Sequence, residues 1–190
     1  MDEQRFGELL AAWSRGDRDA EEALYADTYG ELRGIARQVL RSQGRGDQLS
    51  TTVLVNECYL KLAEAGANAE SRHHFLALCA RAMRQLIVDS ARRVLADKRG
   101  GGAVYGVTLS DVGGEHALRP ESVAALDQAL AELDARDPRL ARIAECRIFA
   151  GMETAEIAQA FGLTERTVQR DWNRVRAVLM LALEGGACSV

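Results

Sequence analysis

The first proline of this chain stands at position 120 and the second at 138. The stretch before it, free of that breaker and rich in Ala, Leu, Arg and Glu, predicts helix throughout. No long alternation of Val, Ile or Thr argues for a sheet. The expected fold class is therefore all-α. Hydrophobic residues make up 47% of the 190, enough for a core, and 17 Gly with 2 Pro exclude collagen-like and low-complexity chains.

Glycine divides the chain. Arg99-Gly-Gly-Gly-Ala-Val-Tyr-Gly and Asp111-Val-Gly-Gly-Glu-His lie between two helical blocks, so residues 100–119 read as a flexible, Gly-rich and acidic linker. The expectation is two small helical domains, 1–99 and 120–184. In the first, helices are predicted near Asp2–Trp13, from Asp17 or Asp19 to about Ser42, over Ser50–Glu64 and over Arg72–Lys98. In the second, Glu121–Leu133 and Arg139–Ala150 precede two shorter helices, with Pro138 suited to a helix start.

Several function classes are excluded early. The start, MDEQRFGELL, is acidic where a signal peptide is basic and then apolar, and the longest apolar run is Ala177–Leu183. A membrane helix needs ~20 such residues, so the expected location is the cytoplasm. Cys58, Cys79, Cys146 and Cys188 form no CxxC and no ligand set with the three histidines, so no metal and no disulfide framework is expected. No Ser/His/Asp set or phosphate loop appears, and the glycines at 44–48 and 99–102 lack the strand context of one. Neither catalysis nor a cofactor is expected.

Charge points to partners. The net charge is −4, yet residues 72–99 carry seven Arg/Lys against two acids, and 166–176 carry four Arg against Asp171. Between them, residues 111–137 hold seven acids against two Arg. Two basic segments flanking an acidic middle suit an anionic partner. They would also let the blocks fold back on one another, hiding the basic faces.

GMETAEIAQAFGLTERTVQRDWNRVRAVL has the pattern of a helix-turn-helix. Thr154–Phe161 stops at Gly162, which suits a left-handed turn, and Thr164 caps the next helix. There Val168, Trp172, Val175 and Leu179 form one apolar stripe. Arg166, Arg170 and Asn173 fall opposite it, with Gln169 and Arg174 beside them, on the face a major groove would meet. The plainer alternative is a solvated helix that happens to carry arginines. In 72–98, Phe75, Cys79, Ala82 and Leu86 form a core stripe, while Arg81, Arg84, Gln85 and Arg92 share another face. Such a face fits a nucleic-acid backbone, or simply water. His73 and His74 read as a helix-start feature.

LVNECYLKL (54–62), HFLALCARAMRQLIVDSARR (74–93) and TAEIAQAFGLTERTVQRDWNRVR (154–176) occur in an order and spacing that resembles bacterial RNA polymerase sigma factors of the extracytoplasmic-function group. The resemblance covers nearly the whole chain outside 100–119. It implies an alternative sigma factor whose partners are core RNA polymerase, through the beta-prime clamp helices and the beta flap, and promoter DNA. It implies clamp docking by the segment around Ser50–Leu62, with Leu54, Val55, Asn56, Glu57 and Tyr59 as polymerase-binding residues. It also implies capture and melting of the minus-ten element by 74–93, with Arg81, Arg84, Gln85, Arg92 and Arg93 on the DNA. Leu78 replaces a Trp common in relatives, so the melting wedge is differently built. The 154–176 segment would read the minus-thirty-five element, using Arg166, Thr167, Gln169, Arg170, Asn173 and Arg174. The acidic linker would thread near the basic RNA-exit path.

One departure is informative. Many relatives carry acids, in a DAED-like pattern, where this chain has Ser50-Thr51-Thr52-Val53. Those charges are missing, but Ser50, Thr51 and Thr52 can be phosphorylated, and a phosphate restores about −1.5 to −2. A Ser/Thr kinase could thus switch polymerase binding in place of an anti-sigma factor. Equally, LSTT is a good N-cap cluster. The competing functional reading is a helix-turn-helix regulator that binds duplex DNA without polymerase.

Overall fold

Helix starts are set by side chains that accept orphan backbone N–H groups. In the computed structural model, which describes residues 1–40, 49–66, 68–97, 107–108, 117–118 and 120–186, Asp2 accepts from Arg5 N at 2.8 Å and opens α1 (Glu3–Trp13). Asp17, rather than Asp19, caps α2 (Arg18–Val39), accepting from Asp19 N and Ala20 N at 2.9 and 3.2 Å. Ser50 caps α3 (Thr51–Glu64) through Val53 N at 3.2 Å. Ser71 Oγ accepts from His74 N, and His74 Nδ1 accepts from Glu70 N, at the head of α4 (Arg72–Asp97). Both histidines thus lie in the first turn of α4, and His74 takes part in its start.

The second block holds α5 (Pro120–Arg136), α6 (Pro138–Phe149), α7 (Thr154–Phe161) and α8 (Glu165–Gly186). Asp137 caps α6 with Pro138 in its first turn, where the missing N–H costs nothing. Both prolines thus begin helices. The all-helical expectation has one exception among the described residues: β1 (Val107–Thr108) pairs antiparallel with β2 (Ala117–Leu118), in register Val107↔Leu118. The stretch expected to be a flexible, Gly-rich linker thus contributes both strands of a short ladder, and β1 lies against α2. The rest of the linker, the glycine turn at 44–48, the end of the second helix near Ser42, and Cys188 lie outside the described residues.

Helix α4 is the centre of the molecule. On one side it packs against α3 and α1, and on the other against α5, α6 and α7. Phe75, Cys79 and Ala82 of its predicted stripe are buried, but so are Leu76, Met83, Ile87, Val88 and Ala91, because two sets of helices cover it. Leu86, expected in the core, is only partly buried. Phe75 meets Phe6, Trp13 and Tyr59 ring to ring at 5.9–6.1 Å. Each such side chain, fully removed from water, stabilises the fold by roughly 1.5–3 kcal/mol.

Candidate nucleic-acid interface

The α7–α8 pair follows its sequence closely. Glu153 N–H donates to the Glu156 carboxylate at 2.6 Å, fixing the start of α7. Gly162 ends it with φ 62° and ψ 34°, a left-handed conformation, and Leu163 N–H returns to Ala158 O at 2.8 Å. Thr164 Oγ1 accepts from Thr167 N at 3.2 Å at the head of α8. Val168, Trp172, Val175 and Leu179 are all buried. Anchored by them, α8 exposes Arg166, Gln169, Arg170, Asn173 and Arg174 along one shallow groove. Gln169 Nε2 donates to Asn173 Oδ1 at 3.2 Å, pre-aligning two amides suited to base edges. Thr167 differs from expectation: it is half-buried and its hydroxyl pairs with that of Thr164 at 2.9 Å, so it serves the cap.

Asp171, which sequence reasoning passed over, is the buried anchor of this surface. Its side chain is wholly inaccessible, with Arg139, Arg170 and Arg174 at 2.9, 3.3 and 3.9 Å. Arg147 ties α6 to the motif from behind, donating to Thr154 Oγ1 at 2.6 Å and to Met152 O at 3.0 Å, and stacking 5.9 Å over Trp172.

On α4 the predicted basic face divides. Arg81, Gln85, Arg92 and Arg93 are exposed, while Arg84 is not on a free surface. It is gripped by Asp127 of α5 and Glu145 of α6, at 2.7 and 2.6 Å. Arg92 reaches Asp127 at 2.9 Å, and Arg93 Nε donates to Asp89 O at 3.3 Å. The reason is tertiary: the second block brings acids from far along the chain onto this face.

On α3 the expected docking set divides too. Asn56 and Glu57 are exposed, but Leu54, Val55 and Tyr59 are buried and belong to the core. The Tyr59 hydroxyl pairs with Thr28 and donates to Leu24 O at 3.1 Å, and burial pushes its pKa up. The large apolar residues that α3 does expose are Val53 and Leu60. With Asn56 and Glu57 they fall at i, i+3, i+4 and i+7, one face. That spacing was legible in TTVLVNECYLKL, but its nearly continuous apolar run conceals which residues face inward. A cleft between α2 and α3 adjoins this face, lined by Tyr25, Asn56 and Leu60 among others, with Tyr25 OH donating to Asn56 Oδ1 at 2.8 Å. Ser50 caps the helix, Thr51 is half-buried and Thr52 exposed, and the first turn of α3 carries no acid.

Among the described residues no His/Cys/Asp/Glu group could hold a metal ion, and no helix is long and apolar enough to cross a membrane. Cys58, Cys79 and Cys146 are free and buried. A family model described as ECF sigma factor matches residues 3–185, nearly the full chain. No curated protein matches it.

Proposed function

The chain belongs to the ECF sigma factors, and on that premise we propose a residue-level division of the work of transcription initiation. As an alternative sigma factor it binds core RNA polymerase and promoter DNA. In our reading α8 enters the major groove of the minus-thirty-five element, with Arg166, Gln169, Arg170, Asn173 and Arg174 as the reading and phosphate-binding set. The observation that carries this is their common exposure on the face opposite the buried Val168, Trp172, Val175 and Leu179. Arg81, Arg84, Gln85, Arg92 and Arg93 of α4 contact the minus-ten element. The exposed face of α3, with Val53, Asn56, Glu57 and Leu60, docks on the beta-prime clamp helices, and the second block meets the beta flap.

Polymerase affinity is set by charge at the start of α3. Phosphorylation of Ser50, Thr51 or Thr52 by a Ser/Thr kinase supplies the anion that the acid-free first turn lacks. Thr52 is the best placed, since it is exposed, whereas the Ser50 hydroxyl is engaged as the cap. An anti-sigma factor is the alternative control. The test is a titration of labelled protein with purified core polymerase, run for wild type and Ser50→Asp/Thr52→Asp. Weak wild-type binding rescued by the acidic variant is expected. Tight wild-type binding removes the phosphorylation switch, and binding by neither form returns the polymerase-independent regulator.

A further inference from the structure

The two halves of the chain meet where opposite charges converge. Arg84 sits on the α4 face assigned to DNA, yet its side chain is only 12% exposed. Its Nε and Nη2 donate to Asp127 Oδ1 at 3.1 and 2.7 Å, and Nη2 also donates to the Asp127 carbonyl at 3.1 Å. Its Nη1 donates to Glu145 Oε1 at 2.6 Å. The second oxygen of Asp127 takes Arg92 Nη2 at 2.9 Å. Asp127 thus stands between two guanidinium groups of α4, the arrangement in which guanidinium groups hold a phosphate.

Glu145 supports the same conclusion from the other side. It is 8% exposed on a helix whose neighbouring positions Ile143, Ala144 and Cys146 are buried. A carboxylate at such a place is costly unless paired, and its partner comes from the other half of the chain. Between the halves lies a cavity of about 180 Å³, lined by Leu78 and Arg81 of α4 and by Arg142, Cys146 and Phe161 of the second block. The closed seam therefore covers Arg84 at the centre of the α4 face and engages Arg92, while Arg81, Gln85 and Arg93 stay exposed at its edge.

We propose that Asp127 and Glu145 are an internal substitute for the nucleic-acid backbone: they clamp the free chain shut by occupying Arg84 and Arg92, two of the α4 cations that promoter DNA would take. This rests on the reading of α4 as a DNA-contacting helix. The closed chain is then self-inhibited without any second protein. Opening transfers Arg84 and Arg92 from carboxylates to phosphates, so the charges are never left bare. Apparent affinity for DNA is reduced by the fraction of molecules that is open, so a chain ~90% closed loses about tenfold.

The experiment compares the full chain with Asp127→Asn/Glu145→Gln, and with Glu132→Gln/Asp134→Asn as a control of equal charge change on the exposed side of α5. Three quantities are read: the radius of gyration by solution scattering, the alkylation rate of Cys146, and affinity for fluorescein-labelled oligo(dT). Oligo(dT) suffices because backbone binding is sequence-independent. The clamp variant should expand, alkylate faster at Cys146 and bind oligo(dT) about tenfold tighter, with the control unchanged. A clamp variant as compact and as slow to alkylate as wild type overturns the clamp, and leaves the α4 reading to be judged by polymerase-dependent transcription. Expansion without tighter oligo(dT) binding overturns the masking and the α4 reading together. An equal response in the control reduces the effect to bulk charge and overturns the clamp. Should the double variant not fold, Asp127→Asn alone carries the same comparison, since that side chain is partly exposed at the seam.

Discussion

Arg139 Nε lies 2.9 Å from Asp171 Oδ2, joining the first turn of α6 to the buried carboxylate of α8. That oxygen has an ion partner but no aligned hydrogen bond, so it depends on Arg139 for compensation. The geometry predicts that Arg139→Gln destabilises the protein by about 1–3 kcal/mol, as expected when a buried acceptor loses its partner. The lower end applies because Arg170 and Arg174 remain nearby. In an Asp171→Asn background the same substitution should cost much less, which urea unfolding of the four-member cycle measures.

Gly162 and the helical glycines of α2 should respond oppositely to alanine. Nothing lies within 4 Å of a Cβ built on Gly162, Gly30 or Gly34, so only backbone preference counts. Gly162 has φ +62°, and Gly162→Ala is expected to cost about 1–2 kcal/mol. Gly30→Ala and Gly34→Ala lie inside a helix and should each add about 0.5–1 kcal/mol. Thermal melts of the three single variants check both signs.

Acid sensitivity should trace in part to Asp27. A hydrogen bond from Arg72 holds its carboxyl below the usual carboxylate range, against the upward push of burial, and the N-terminal ammonium adds to the lowering. A depressed pKa contributes stability above the unfolded-state value that is lost as pH falls through the folded-state value. Asp27→Asn should therefore lower stability at neutral pH and leave it nearly unchanged at the acid end. Urea midpoints across that range decide it.

Burial pushes the thiols of Cys79 and Cys146 up, so neither is reactive in the closed, folded chain. Their positions separate two motions. Cys146 lines the seam between the halves, whereas Cys79 lies in the α3–α4 packing beside Cys58. Alkylation mapped by mass spectrometry should find Cys146 modified at the rate of block opening, and Cys79 only at the far slower rate of unfolding.

The readable parts of this molecule are those whose causes are local. Gly162, Thr164 and the four-residue stripe of α8 lie within one short segment, and each does there what its chemistry predicts. Pro138 and Ser50 likewise act through their immediate neighbours. What escaped involves partners far apart in the chain. The acids that grip Arg84 lie 43 and 61 residues away, and periodicity on α4 cannot tell a solvated arginine from a clamped one. The docking set expected on α3 divides between core and surface for a related reason. Where apolar residues run almost continuously, the inward set is chosen by α2 and α4, not by the helix itself.

That choice yields a test of the docking surface. Leu60 is 55% exposed and Val53 41% exposed on α3, while Tyr59 is 5% exposed and hydrogen-bonded to Thr28 and Leu24. If the outward face meets polymerase, Leu60→Asp should weaken core binding severalfold by placing a charge in a dehydrated contact, with little change in unfolding free energy, as at most surface sites. Tyr59→Phe should do the reverse, costing about 0.5–1.5 kcal/mol through its lost hydroxyl bonds and leaving polymerase affinity unchanged in the folded fraction. Binding lost with Tyr59→Phe and kept with Leu60→Asp would mean that α3 turns in the complex to present its present core. Because the cleft with Tyr25 and Asn56 opens beside Leu60, Asn56→Ala is the intermediate case. It removes both the Tyr25 hydrogen bond and a surface amide, so it should lower stability slightly and polymerase affinity more. Titration with core polymerase, beside urea unfolding of the same four proteins, separates these outcomes.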